Sequence, residues 1–329
     1  MFKKSIIILL VFIVSIITTS CSNKSDSLET VNLILDWTPN TNHTGIYVAD
    51  ELGFFKKNGI KVNIIQPPED SSIILLGSGK AQFCISFQDS FAQALSSNTP
   101  VPATAVAAIL NHNTSGILSK KSCNIQSPKD LEGKTYSTWN LPIETAMLKH
   151  IVAKSGGNFD LIHTAPNSSS DAASAFSSGI DAINVYYGWD AIAAETKGID
   201  TNFLRFTDIE KNFDFYAPII IANNKYLETN PDTVKRFLAA LDAGYTYSIE
   251  NPKAAADILI KKNPELNKNI VYKSQEWLSH QYKGQNEPWG KIDETRWTNF
   301  FRWLYEEKLI SKNLNSSGFS NEYLKYSTD

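Results

Sequence analysis

The 329 residues are 42% hydrophobic and 20% charged, enough apolar material for a buried core over a length that favours two domains, and far from a disordered chain or a fibre. Lys+Arg number 31 against 34 Asp+Glu, a formal net charge of −3. The basic set holds just four arginines, Arg205, Arg236, Arg296 and Arg302, which argues against nucleic-acid binding and against a bidentate arginine clamp on phosphate, sulfonate or carboxylate in the first two-thirds of the chain.

The first twenty residues read as a targeting signal. Lys3 and Lys4 form a short basic region, and Ile6 to Ile17 form an apolar run broken by Ser15, too short to span a bilayer. The small residues Thr18, Thr19 and Ser20 precede Cys21, an arrangement that looks like a lipobox in which the cysteine is diacylated and becomes the mature N-terminus; an ordinary secretory signal with a coincidental cysteine is the alternative. Residues 1–20 are therefore expected to be a lipoprotein signal peptide and 21–30 a flexible, Ser/Asn/Lys-rich tether. A two-chain anchor suffices for stable attachment, so the expected location is extracytoplasmic and lipid-anchored to the cell membrane. Beyond Cys21 only Cys84 and Cys123 occur, and neither sits in a metal or redox spacing, so no metal is expected.

Strand-length apolar runs then alternate with helical stretches, the pattern of βαβ units and a mostly parallel sheet. Val31–Leu35 predicts a strand, Thr44–Asn58 a helix, Lys61–Ile65 a strand and Asp70–Leu76 a helix ending at Gly77–Ser78–Gly79. Gln82–Phe87 and Gly116–Leu118 follow as strands. The same pattern recurs at Ser170–Ser178, Gly179 and Ala182–Tyr187. Pro218–Ala222 predicts a strand, Pro231 and Pro252 each start a helix, and Thr295–Lys308 is the last helix, its Trp297, Phe300, Phe301 and Leu304 forming an apolar face. The expected organisation is two α/β lobes: a discontinuous lobe over 31–119 and 215–329, and an inserted lobe over 120–214, with chain crossings near Ser119–Ser122 and Asp214. Two lobes joined by two strands enclose a cleft suited to a small ligand.

In open α/β sheets ligands lie beyond the carboxyl ends of strands, so the residues after each strand are the candidates. The first exit carries Asp36, Trp37, Asn40 and His43, and the third carries Gln88 and Ser90. In the inserted lobe one exit carries Trp139 and Glu144, and another carries Tyr186, Tyr187, Trp189 and Asp190. Aromatic faces at four exits suit a planar heterocycle, each stacked pair worth about 0.5–1.5 kcal/mol beyond area burial. Asp, Asn and Gln can read ring nitrogens and an exocyclic amine, and the carboxylates favour a protonatable or amino-bearing ring. His43 either contacts the ligand or caps its own helix. The helix start at Pro142 offers an anion a place even without arginine.

The run Asp36–Trp37–Thr38–Pro39–Asn40 through His43, Gly45, Tyr47, Ala49, Gly53, Phe54–Phe55 and Gly59–Ile60, together with Ser127 through Lys134, resembles solute-binding proteins of the thiamin-pyrimidine and nitrate/sulfonate/taurine superfamily. The opening is most similar to the branch that delivers pyrimidine precursors of thiamin, such as formylaminopyrimidine, to an ABC importer. The resemblance implies a type II periplasmic-binding-protein fold, closure of the lobes over the ligand, docking on a permease, no cofactor and a monomeric chain. It carries Trp37, the Tyr186/Tyr187 pair and the acid near Trp189 into the site. Asp190 stands where Glu is the usual residue, and Gln82 where many relatives have Asp. A flavin-type, sulfonate or nitrate ligand is the alternative within the same class. A pyrimidine-synthase-like enzyme is the alternative from another class; it depends on a cysteine-rich iron-binding motif, whereas Cys84 and Cys123 stand alone, so no enzymatic activity is expected.

Overall fold

The computed structural model describes residues 28–67, 72–167, 169, 171–284 and 287–324. The leader, Cys21 and most of the tether lie outside them. Among the described residues ten strands form two five-stranded sheets. In the first sheet β1 (Glu29–Ile34), β2 (Ile60–Ile65), β3 (Phe83–Ser86), β4 (Ala103–Ala108) and β10 (Ile219–Asn223) take the order β2-β1-β3-β10-β4. In the second, β5 (Ser115–Lys120), β6 (Thr135–Thr138), β7 (His163–Pro166), β8 (Ala182–Tyr186) and β9 (Thr201–Arg205) take the order β7-β6-β8-β5-β9.

The β1, β2 and β3 strands pair in parallel, as βαβ units must, and β10 returns antiparallel between β3 and β4. Its Ile219, Ile220, Ile221 and Ala222 are fully buried, the near-continuous apolar run of a strand covered on both faces. The second sheet repeats the scheme, with β5 antiparallel to both β8 and β9. Gly116–Leu118, which the sequence suggests as the last strand before the crossing, therefore belongs to the second sheet, and the first passage between sheets runs over residues 109–114. Strand pairing is a long-range property that a local apolar run does not disclose.

The helix expected over Thr44–Asn58 is two, Thr44–Glu51 and Phe54–Lys57, because Gly53 adopts a left-handed φ of 73° that ends one and starts the other. The last helix spans Glu294–Glu306 and buries Trp297, Phe300, Phe301 and Leu304 as its spacing predicts, along with Trp303.

Two close approaches fix the wall behind the first strand exit. Helix Thr44–Glu51 lies on helix Pro231–Glu250 where Gly45 faces Tyr245 and Gly244 faces the Gly45 carbonyl. A Cβ on either glycine meets those atoms at less than contact distance, so only glycine permits this packing.

Candidate functional site at the strand exits

The loop after β1 is built by its own polar residues. Asn40 caps the short turn Thr41–His43: its Oδ1 accepts from the Asn42 N–H at 2.9 Å, its Nδ2 donates to the Thr38 carbonyl, and its N–H donates to His43 Nδ1 at 3.2 Å. From outside the loop the Tyr245 hydroxyl donates to the Asn42 carbonyl and the Tyr282 hydroxyl to the Thr41 carbonyl. Asn40 is thus buried and consumed in shaping the loop, not free to read a ligand.

His43 is fully buried, and its Nε2 lies 2.6 Å from Asp36 Oδ1. Because Nδ1 receives the Asn40 N–H, the proton sits on Nε2 and is donated to Asp36. Asp36 has a side chain only 7% exposed, yet its neighbour Trp37 is 50% exposed. The exit thus pairs a fixed carboxylate with an open indole face.

At the β3 exit the two neighbours Gln88 and Asp89 differ in burial. Gln88 is fully buried; its Oε1 accepts from the Tyr216 N–H at 2.9 Å and its Nε2 donates to the Trp297 carbonyl at 3.1 Å. Both ends of its amide are used by the fold, which removes it as an edge reader. Ser90 is exposed and bonds to Asp89 Oδ1 through its N–H and hydroxyl. Asp89, which the sequence reading passed over, retains partial exposure while burial of its surroundings raises its pKa.

From the second sheet, Tyr186 at the end of β8 stacks on Phe87 with ring centroids 5.7 Å apart and planes at 15°. Its phenol pKa is driven well above 10 by burial and then by the charges of Asp89, Asp36 and Asp190. Three carboxylates from three strand exits, in both sheets, therefore act on one phenol. Asp190 lies in a π-helical turn, Tyr187–Ala191, a distortion frequent at functional sites; burial pushes its carboxyl up to about 6.

The other aromatics divide. Tyr187 turns away from Tyr186: its hydroxyl donates to Glu195 Oε1 at 2.9 Å and its ring packs 4.8 Å from Trp277, beside a surface hollow of about 620 Å³ that Ile192, Tyr272 and His280 also line. Successive residues leaving a strand point to opposite sides, so the expected tyrosine pair does not form. Trp189 packs on an apolar cluster with Tyr47, Leu259 and Val271. Trp139 is 56% exposed and, like Trp37, presents a free face.

Glu144 supplies an anion to its own helix. It is 7% exposed and accepts from Thr138 Oγ1 at 2.9 Å, the Trp139 N–H at 2.8 Å and the Tyr136 hydroxyl at 3.3 Å. Burial raises its pKa against those hydrogen bonds. Glu144 is the acidic residue in the first turn of helix Pro142–Lys154, so the helix start suggested above as a place for an anion already has a carboxylate beside it. Cys84 is buried and Cys123 half-buried, both as free thiols. Among the described residues no cluster of His, Cys, Asp and Glu has the arrangement of a metal site.

The two sheets and their order define a periplasmic-binding-protein fold of two α/β lobes. Among solved structures the periplasmic aliphatic sulphonate binding protein SsuA from Escherichia coli superposes with a TM-score of 0.68, at 16% identity over 87% of this chain and 90% of that one. The model of the family described as NMT1/THI5 like matches residues 40–255, and the chain belongs to that family. It is 28% identical over 307 residues to the formylaminopyrimidine-binding protein of Halalkalibacterium halodurans, covering 91% of this chain and 92% of the relative. It is 24% identical to a 4-amino-5-hydroxymethyl-2-methylpyrimidine phosphate synthase of Legionella pneumophila, covering 86% and 90%.

Proposed function

We propose that this chain is the extracytoplasmic solute-binding component of an ABC importer, and that it captures a pyrimidine precursor of thiamin between its two lobes. The observation that carries this reading is the stacking of Tyr186 on Phe87 across the two sheets, with Asp36, Asp89 and Asp190 on the segments that follow β1, β3 and β8. Acidic acceptors beside aromatic faces suit a flat ring bearing amino groups. They do not suit a sulfonate, which needs donors, and the first turn of the helix at Pro142 already carries the Glu144 carboxylate. The similarity to a formylaminopyrimidine-binding protein over nine-tenths of both chains supports the same ligand class. Capture rather than turnover is the reading favoured by that relative and by the sulfonate-binding structure.

In this reading Asp36, Asp89 and Asp190 accept from the ring's amino edge, Trp37 and Tyr186 offer faces, and Cys21 carries the lipid that holds the protein at the membrane beside its permease. Calorimetric titration of the mature protein with formylaminopyrimidine, riboflavin and taurine tests it. Stoichiometric binding and unchanged recovery of the pyrimidine is the expected result; preferential binding of riboflavin or taurine, or conversion of the pyrimidine, overturns it. Mass spectrometry of the membrane fraction tests the anchor: a diacylated Cys21 is expected, and a cleaved, unmodified N-terminus counts against it.

A further inference from the structure

We propose that His43 is a positioning residue, which fixes the Asp36 carboxylate through Oδ1 and leaves its second oxygen for the ligand's amino edge; this rests on the reading of Asp36 as part of the ligand site. Buried carboxylates are costly unless hydrogen-bonded, and among the described residues the hydrogen bond of the Asp36 side chain is the one from His43. A single donor on one oxygen orients a carboxylate without saturating it. The imidazole is itself held: the Asn40 N–H occupies Nδ1, which sets the tautomer with the proton on Nε2.

The loop that carries the pair has little freedom. Tyr245 and Tyr282 hold the Asn42 and Thr41 carbonyls, and Thr41 Oγ1 lies 2.5 Å from Ser274 Oγ, which in turn donates to the Gly188 carbonyl in the turn bearing Asp190. His43 therefore sits where the backbone of the first exit, the carboxylate of that exit and a link toward the second lobe meet. The sequence alone leaves His43 as either a ligand contact or a cap; full burial removes the first, and the bond to Asp36 makes the second incomplete.

Two substitutions separate positioning from capping. Gln carries an N–H donor out to the place of Nε2 but loses the acceptor at Nδ1, whereas Asn keeps an acceptor near Nδ1 and does not reach Asp36. A positioning role predicts that His43→Gln binds formylaminopyrimidine within about threefold of the unaltered protein and that His43→Asn binds at least tenfold more weakly. The reverse order, or equal affinities, overturns the proposal in favour of a cap. A ligand-independent measurement stands beside it: ¹⁵N spectra of the unaltered protein are expected to show His43 protonated on Nε2 and bare on Nδ1, with the Nε2–H resonance displaced by Asp36→Asn. The opposite tautomer, or no response to Asp36→Asn, overturns it too. If formylaminopyrimidine fails to bind the unaltered protein, the ligand assignment falls, and these spectra still decide whether His43 holds Asp36.

Discussion

Trp37 and Asp36 are adjacent yet sit in opposite surroundings, one half open to solvent and the other almost closed off, so their losses are measured differently. Truncating Trp37 removes a stacking face without leaving a core cavity. Trp37→Ala is expected to weaken ligand binding by about 2–4 kcal/mol, the range of an interface hot spot, and to change stability by less than about half a kcal/mol, as surface substitutions do; titration and thermal melts check both. Asp190 adds a pH signature. Burial lifts its carboxyl from an ordinary value of 3.8 to about 6, so the folded chain holds that proton more tightly than the unfolded one. The associated stability is present below about pH 4 and is lost as pH rises through about 6, to a limit of about 2–3 kcal/mol. Asp190→Asn should accordingly raise the melting temperature at pH 8 and leave it unchanged at pH 4. An equal shift at both would place the cost elsewhere. At this scale the sequence does not disclose which polar side chains the fold itself consumes. Gln88 and Asp89 are equally polar neighbours, and it is Tyr216 and Trp297, far along the chain, that hold Gln88 in the core. Tyr186 and Tyr187 diverge for the same reason, each finding its partner, Phe87 or Trp277, in a distant segment.

Elements were more legible than their side chains. Alternation and apolar runs locate β1, β2, β3, β8 and β10 within a residue or two, because burial imposes those periods directly. What the sequence does not disclose is contact between elements: the sheet to which β5 belongs, and the tight approach of helix Thr44–Glu51 to helix Pro231–Glu250. The second approach leads to a prediction at the level of the helix pair. Gly244→Ala places a methyl group against the Gly45 carbonyl, so the helices must separate. Overpacking of this kind costs about 1–3 kcal/mol. Since helix Thr44–Glu51 follows directly from the turn holding His43, ligand affinity is expected to fall along with melting temperature. A loss of stability with unchanged affinity would show that the loop is insulated from the helix behind it.

For the whole molecule the two passages between sheets, residues 109–114 and 206–218, meet on the Asp214 side chain. Asp214 accepts from His112 Nδ1 at 2.8 Å and from the Asn113 N–H at 3.0 Å, and pairs with Arg296 Nε at 3.2 Å. Arg296 also donates to the Asn111 carbonyl. Both passages thus meet on the start of the last helix, a compact pivot about which rigid lobes can turn. Small-angle scattering is expected to give a smaller radius of gyration with saturating formylaminopyrimidine than without. Identical radii would count against closure.

The placement of β10 also sets an order of events during synthesis. It is the filler between β3 and β4, contributed only after the whole second sheet has been made. Until residue 223 emerges, β3 and β4 present bare edges of apolar strands with nothing between them, surfaces that invite pairing with other chains. The first lobe cannot therefore fold ahead of the second, and its sheet stays incomplete until two-thirds of the chain has been made.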